Sequence, residues 1–175
     1  MVKLPIVAYP EKILKQKAEE VLKTTPEIKK LIPQMMRAMY EHEGIGLAAP
    51  QVGISKKIII VETSDNPRAN KGKSLAFLNP VIKKKVGKSI TEEEGCLSLP
   101  GISVPVRRSE SVELVCQTPE GEDVRIVAKG LTARIFQHEI DHLNGKLIID
   151  RIPLWKRLSV KRLLKSKERT SPLAN

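Results

Sequence analysis

The chain predicts a single α+β domain: antiparallel β-sheets packed around a central helix, with one helix ahead of the strands and another behind them. Three observations carry this. Short β-branched runs, many of them alternating, follow one another between residues 57 and 128. Helical spacing of apolar residues occupies 26–44 before them and 131–143 after them. No internal repeat or linker composition interrupts the 175 residues, a length that suits one domain with its own core.

The first helix is announced by Thr25 as N-cap and Pro26 in the first turn, after which Ile28, Leu31, Ile32, Met35 and Met39 recur on one face up to Gly44. The methionine-rich stripe is assigned to the core, where flexible thioethers fill gaps. Pro33 lies inside the helix and predicts a kink, because its ring meets the carbonyl four residues back. Strands are expected at 57–63, 75–84, 86–93, 103–106, 111–117 and 123–128, with turns at Gly87 and at Pro119-Glu120-Gly121 and a long loop over 64–72. A helix over 131–143 closes at Asn144-Gly145, a good C-terminal stop. A last helix over 153–167 follows, although its Trp155, Leu158, Val160, Leu163 and Leu164 do not make one clean stripe.

Composition excludes several classes of function. Phe77, Phe136, Tyr9, Tyr40 and Trp155 are the only aromatic residues, too few to stack a run of bases, so a single-stranded or sequence-specific nucleic-acid reader is not expected. Two cysteines build no disulfide framework and suit a reducing compartment. The apolar stretch near the start is bracketed by Pro5 and Pro10 and is short for a signal peptide. No run approaches the roughly 18 apolar residues of a membrane span, so no membrane partner is expected. A cytoplasmic protein is predicted. The net charge of +11 invites an anionic partner, and it is concentrated: residues 146–169 hold nine basic side chains against Asp150 and Glu168, a net +7.

The sharpest signal is His138-Glu139-Ile140-Asp141-His142. Histidines at i and i+4 project from one helix face one turn apart, close enough to grip one metal, with Glu139 placed as a general base. The central helix is therefore read as metal-binding. A catalytic metal usually keeps three protein ligands and an open position, so a third is needed. A metzincin would place a histidine where Ile148 stands, and a thermolysin-like site would draw on Glu168, the only downstream glutamate, which is stranded in the basic tail. His42, Cys96 and Cys116 remain. Cys116 alternates in phase with Val112 and Leu114 and is expected in the core, and His42 sits at the end of the first helix, where exposure suits it. Cys96 follows a strand beside Gly95 in Glu94-Gly95-Cys96-Leu97-Ser98, where a ligand loop belongs, and is favoured. A Cys-His-His set could hold Fe(II), Zn(II), Co(II) or Ni(II).

Three segments together resemble peptide deformylase of the bacterial type: Gly44-Ile45-Gly46-Leu47-Ala48-Ala49-Pro50-Gln51, Glu94-Gly95-Cys96-Leu97-Ser98, and Gln137-His138-Glu139-Ile140-Asp141-His142. Their order and spacing fit, over about residues 4 to 150. The resemblance implies a metallohydrolase that removes the formyl group from the N-terminal formylmethionine of nascent peptides and releases formate. It implies Fe(II) as the native metal, held by Cys96, His138 and His142, with Zn(II), Ni(II) or Co(II) able to replace it. It implies Glu139 as general base and acid, the Gln51 side chain and the Leu97 backbone N–H as oxyanion donors, and substrate contacts at Ile45, Gly46 and Glu94. Some bacterial members carry an arginine soon after the cysteine motif that pairs with its glutamate. Here that stretch is Leu99-Pro100-Gly101-Ile102-Ser103, which leaves Arg107, Arg108 and Arg134 as candidates. Residues 1–150 are expected to form the catalytic domain, with 151–175 as a basic helical tail of the same domain. In the family a C-terminal helix docks on the ribosome near the tunnel exit, a role the tail would fill here.

Overall fold

A computed structural model describes residues 4–63 and 73–170, with side chains through residue 164. The loop expected at 64–72 lies outside the described residues. The first helix, α1, covers Pro26–Glu41 and runs without a break through Pro33, which is exposed. Proline there costs one hydrogen bond without ending the helix, because Met35, Ala38 and Met39 remain buried on the opposite side. Thr25 takes the extended N-cap conformation, but its hydroxyl makes no capping bond to the backbone.

Five strands follow: β1 (Gly46–Ala48), β2 (Ile58–Glu62), β3 (Ser74–Gly95), β4 (Ser103–Gln117) and β5 (Asp123–Lys129). They form one antiparallel sheet in chain order, with β1 and β5 at its edges. The expected runs 75–84 and 86–93 are one strand. Gly87 is a bulge in it, at φ +78 beside the register shift between Val86 and Ser89, and not a turn. Likewise 103–106 and 111–117 join through Arg107-Arg108-Ser109-Glu110. β1, which is not among the strands expected from sequence, is a short edge strand.

The helix α2 (Gly130–Leu143) lies on one face of the sheet and α1 on the other. Successive residues of β2 divide between them: Ile59 and Val61 join the α2 cluster, Ile58 and Ile60 the α1 cluster. Covered on both faces, β2 is buried throughout, which explains its continuous apolar run. Phe136 of α2 meets Phe77 of β3 with ring centroids 5.2 Å apart. Cys116 is in this core as expected, and burial pushes its thiol pKa up to about 11.

The stop of α2 also fixes the N-terminal segment. Gly145 has φ +67, and a Cβ there would stand 2.5 Å from the Lys15 carbonyl oxygen, so only glycine fits. A third apolar cluster, including Leu14, Leu99, Val106, Ile149 and Leu164, joins that segment to β4 and to the final helix α3 (Leu154–Thr170). On α3, Leu164 is buried and Val160 partly so, whereas Leu154, Trp155, Leu158 and Leu163 are exposed, which accounts for the missing stripe.

Candidate metal centre

α2 is pinned to the sheet by polar contacts as well as by its apolar face. Gln137 pairs with the backbone of β4 as another strand would, donating to Ser109 C=O at 2.8 Å and accepting from Ser109 N–H at 3.1 Å. This sets the rotation of the helix, and with it the two histidines one turn apart. His138 and His142 bring their Nε2 atoms to 3.2 Å, and the Cys96 Sγ lies 3.3 Å from His142 Nε2. The three donor atoms fall within 4.8 Å of one another, forming a possible metal-binding group.

The fit of a divalent cation follows from hydrogen-bond roles. His138 Nδ1–H donates to Glu94 Oε2 at 3.0 Å, which leaves the Nε2 lone pair of His138 aimed at the cluster. Two imidazole nitrogens and a sulfur converging this closely need either a shared proton or a shared cation, and the set suits Fe(II), Zn(II), Co(II) or Ni(II).

Glu94, expected to contact substrate, is buried and turned to His138 and two arginines. Arg108 grips it with Nε and Nη2 at 3.0 Å each, and Arg134 Nη1 donates to Oε1 at 2.7 Å. Burial alone would raise its pKa, but the His138 and Arg108 hydrogen bonds and charges bring it down to about 2. Arg107 takes no part in this pairing, so two of the three arginine candidates are used. Beyond the sequence reading, Arg108 Nη1 also donates to Asp141 Oδ2 at 2.5 Å, and Arg151 Nε donates to the same oxygen at 2.8 Å. The sequence presents Asp141 only as part of the histidine segment. Its signal was available: a carboxylate on the buried face of a helix requires a cation.

Glu139 is buried beside the histidines, and burial raises its carboxyl pKa to about 7. Its Oε2 has no hydrogen-bond partner among the described residues. It also touches β1: a Cβ on Gly46 would come within 2.8 Å of Ile135 Cγ2 and 3.0 Å of Glu139 Cδ. Glycine at 46 therefore makes room for the carboxylate.

The Gln51 side chain is oriented. Its Oε1 accepts from Ala48 N–H at 2.8 Å, so its amide donors point to Cys96 Sγ at 3.6 Å and Ser98 Oγ at 3.4 Å. The Leu97 N–H has no hydrogen-bond partner among the described residues. Ile45, Gly46, Gln51, Cys96, Leu97 and Glu139 border one cavity of about 670 Å³, along which the outer edge of β1 runs. Glu94 and His138 line it too, and His142, which does not, meets Cys96 and His138 through its Nε2. His42 stands apart from the ligand set, exposed at the end of α1, with Nδ1–H donating to Ala38 C=O at 2.9 Å.

Residues 3–158 match the family described as Polypeptide deformylase. The chain is 44% identical to the peptide deformylase of Thermodesulfovibrio yellowstonii over 94% of its length and 98% of that protein's. It is similar in structure to the enzyme from Ehrlichia chaffeensis, with a TM-score of 0.88, 33% identity, and coverage of 97% of this chain and 98% of that one. The Met-Ala-Ser-bound class I type b enzyme of Acinetobacter baumannii gives a TM-score of 0.80 at 40% identity, covering 86% of this chain and 99% of the other. The α+β fold, the three motif segments and these likenesses agree: the chain is an enzyme of the polypeptide deformylase family.

Proposed function

We propose that this enzyme hydrolyses the formamide bond of N-formylmethionyl nascent peptides, with Cys96, His138 and His142 holding Fe(II) as the native metal and zinc, nickel or cobalt as workable substitutes. The observation that carries this is the convergence of two nitrogens and one sulfur beside a buried carboxylate, at the free edge of a β-strand. A bound divalent cation supplies Lewis acidity that brings the pKa of water toward neutrality. Glu139 takes the proton from the attacking water and returns it to the departing amine, a role suited to its raised pKa. Charge developing on the formyl oxygen is met by the Gln51 amide, held in place by Ala48, and by the Leu97 N–H, which has no other partner among the described residues. The peptide lies extended along β1, where Ile45 and Gly46 offer backbone groups and side-chain walls. Glu94 acts from behind His138, fixing the tautomer of that ligand.

The bound Met-Ala-Ser of the Acinetobacter relative supports this substrate class. The decisive assay is release of formate from formyl-Met-Ala-Ser by the metal-loaded protein. Glu139→Gln should keep full metal stoichiometry and lose roughly 10²- to 10⁴-fold in turnover. Near-normal turnover in that variant would remove Glu139 from the mechanism.

Residues 1–150 are read as the catalytic unit, and 151–175 as a tail that docks on ribosomal phosphates near the tunnel exit, in the cytoplasm. Its exposed Trp155 and Leu158 and its net positive charge support that reading, and no helix among the described residues is long and apolar enough to cross a membrane. Cutting after Pro153 retains Arg151 on Asp141 and should abolish salt-sensitive ribosome co-sedimentation while sparing formyl-peptide turnover. Co-sedimentation surviving the cut would show that the tail is not the anchor.

A further inference from the structure

A second cavity, of about 500 Å³, opens beside the first and shares His42, Leu97 and Pro100 with it. Its remaining walls are Pro5, Ile6 and Ala8 of the N-terminal segment. That segment is stitched to the metal centre: Val7 N–H donates to Gln51 C=O at 2.8 Å, and Tyr9 N–H to Ser98 C=O at 2.9 Å. Leu97 stands at the boundary, its Cδ1 2.9 Å from where a Cβ on Gly44 would be. The two cavities are therefore parts of one groove with a fixed floor. The lining of the second is apolar apart from the His42 ring, and among the described residues no Lys, Arg, Asp or Glu borders it.

We infer that this cavity is a subsite for an apolar side chain near the fourth residue of the formylated peptide, an inference that rests on the deformylase reading. The register follows from the position of Glu139. The formyl end must lie at Glu139, which abuts Gly46. An extended chain advances about 3.3 Å per residue. Running back from Gly46 past Ile45, it stands opposite Gly44 and the Leu97 side chain at about its third residue; the chain then turns at His42 and Glu43, so the next residue faces the second cavity. There the walls offer methyl and methylene groups, so leucine or valine gains and a carboxylate must be desolvated without a partner.

The test is a peptide series, formyl-Met-Ala-Ser extended by two residues, with Leu, Gly, Lys or Asp placed at position four or five. Leucine at one of these positions should raise kcat/KM about five- to tenfold over Gly or Asp, mainly through KM, as partial burial of one side chain gives. Ala8→Glu places a carboxylate on the exposed wall. It should erase the leucine advantage, favour lysine at the same position and leave formyl-Met-Ala-Ser turnover unchanged. Equal kcat/KM for Leu, Gly and Asp at both positions, in the wild-type protein alone, overturns the subsite. So does a leucine advantage that persists undiminished in Ala8→Glu. Failure of the metal-loaded protein to deformylate any of these peptides, formyl-Met-Ala-Ser included, overturns the deformylase reading itself.

Discussion

The helices α2 and α3 are similar in length and opposite in construction. Ten of the fourteen residues of α2 are buried, among them Arg134, Glu139, Asp141 and His142. α3 buries Leu164 and leaves Leu154, Trp155 and Leu158 mostly in solvent. Its charged contact with the body passes through Arg157, which donates to Asp150 at 2.6 Å. Buried Arg134 and Asp141 on α2 are each met by an opposite charge, whereas Lys156, Lys161 and Arg162 of α3 pair with no carboxylate among the described residues. The histidine pair of α2 is kept in register at the desolvation cost of such a network, because loosening any member moves a histidine.

The largest effect that would separate these regions comes from the third ligand. Cys96→Ser should abolish tight metal binding and nearly all deformylation, measured by metal analysis and formate release. Cys116→Ser, whose thiol is a neutral core group, should retain both. Equal metal content in the wild type and Cys96→Ser would break the ligand assignment.

A step smaller is Gly46→Ala. The added methyl collides with Glu139 and Ile135, and displacing a catalytic group by about 1 Å costs roughly 10²-fold in rate. The metal should still bind, since no ligand is touched. Unchanged kcat with metal bound would show that β1 can yield where the structure has it packed.

Arg108→Met tests the network itself. Glu94 and Asp141 each lose a buried partner, so urea denaturation should show a loss of about 3 kcal/mol, and metal affinity should fall about 10- to 100-fold as His138 loosens. A change in stability with no change in affinity would confine Arg108 to folding.

The smallest expected effect belongs to the root of α3. Asp150 accepts from the Leu147 N–H, from Lys15 and from Arg157. Burial opposes its ionisation, but these partners outweigh burial and hold its carboxyl below the ordinary value of 3.8. A carboxylate depressed in the folded state stabilises above its unfolded pKa, and that contribution is lost as pH falls through the folded value. Asp150→Asn should thus cost about 1 kcal/mol at pH 7, with the difference from wild type closing below pH 4. Peptide turnover should not change.

The contrast between the helices also separates what was legible in the sequence from what was not. The possible metal-binding group was readable because i, i+4 spacing on a helix is a local property and because Gly95-Cys96 follows a strand. Helix α1, β2 and β5 were readable from apolar periodicity. The joins were not. Arg107-Arg108-Ser109-Glu110 is polar and reads as a break, yet Arg108 is inside β4 and buried, since Glu94 and Asp141 satisfy its charge. Gly87 reads as a turn until β4 is known to continue opposite it. Glu94 carries the same lesson: the sequence offers Arg107, Arg108 and Arg134 as its partners, and only the fold shows that Arg108, Arg134 and His138 surround it. Local pattern cannot show that a distant element neutralises a charge.

The strand order has a kinetic consequence. Each strand pairs with its neighbour in sequence, so the sheet can grow by closing short loops, which carries a small entropic cost. The site cannot form that way, since Gly46, Gln51, Cys96 and His138 come from separate stretches of the chain and meet only when α2 folds back over the sheet. During refolding, amides of β3 and β4 should gain protection from hydrogen exchange before the three ligands can compete with a chelator for metal. The candidate metal centre is then a late product of folding.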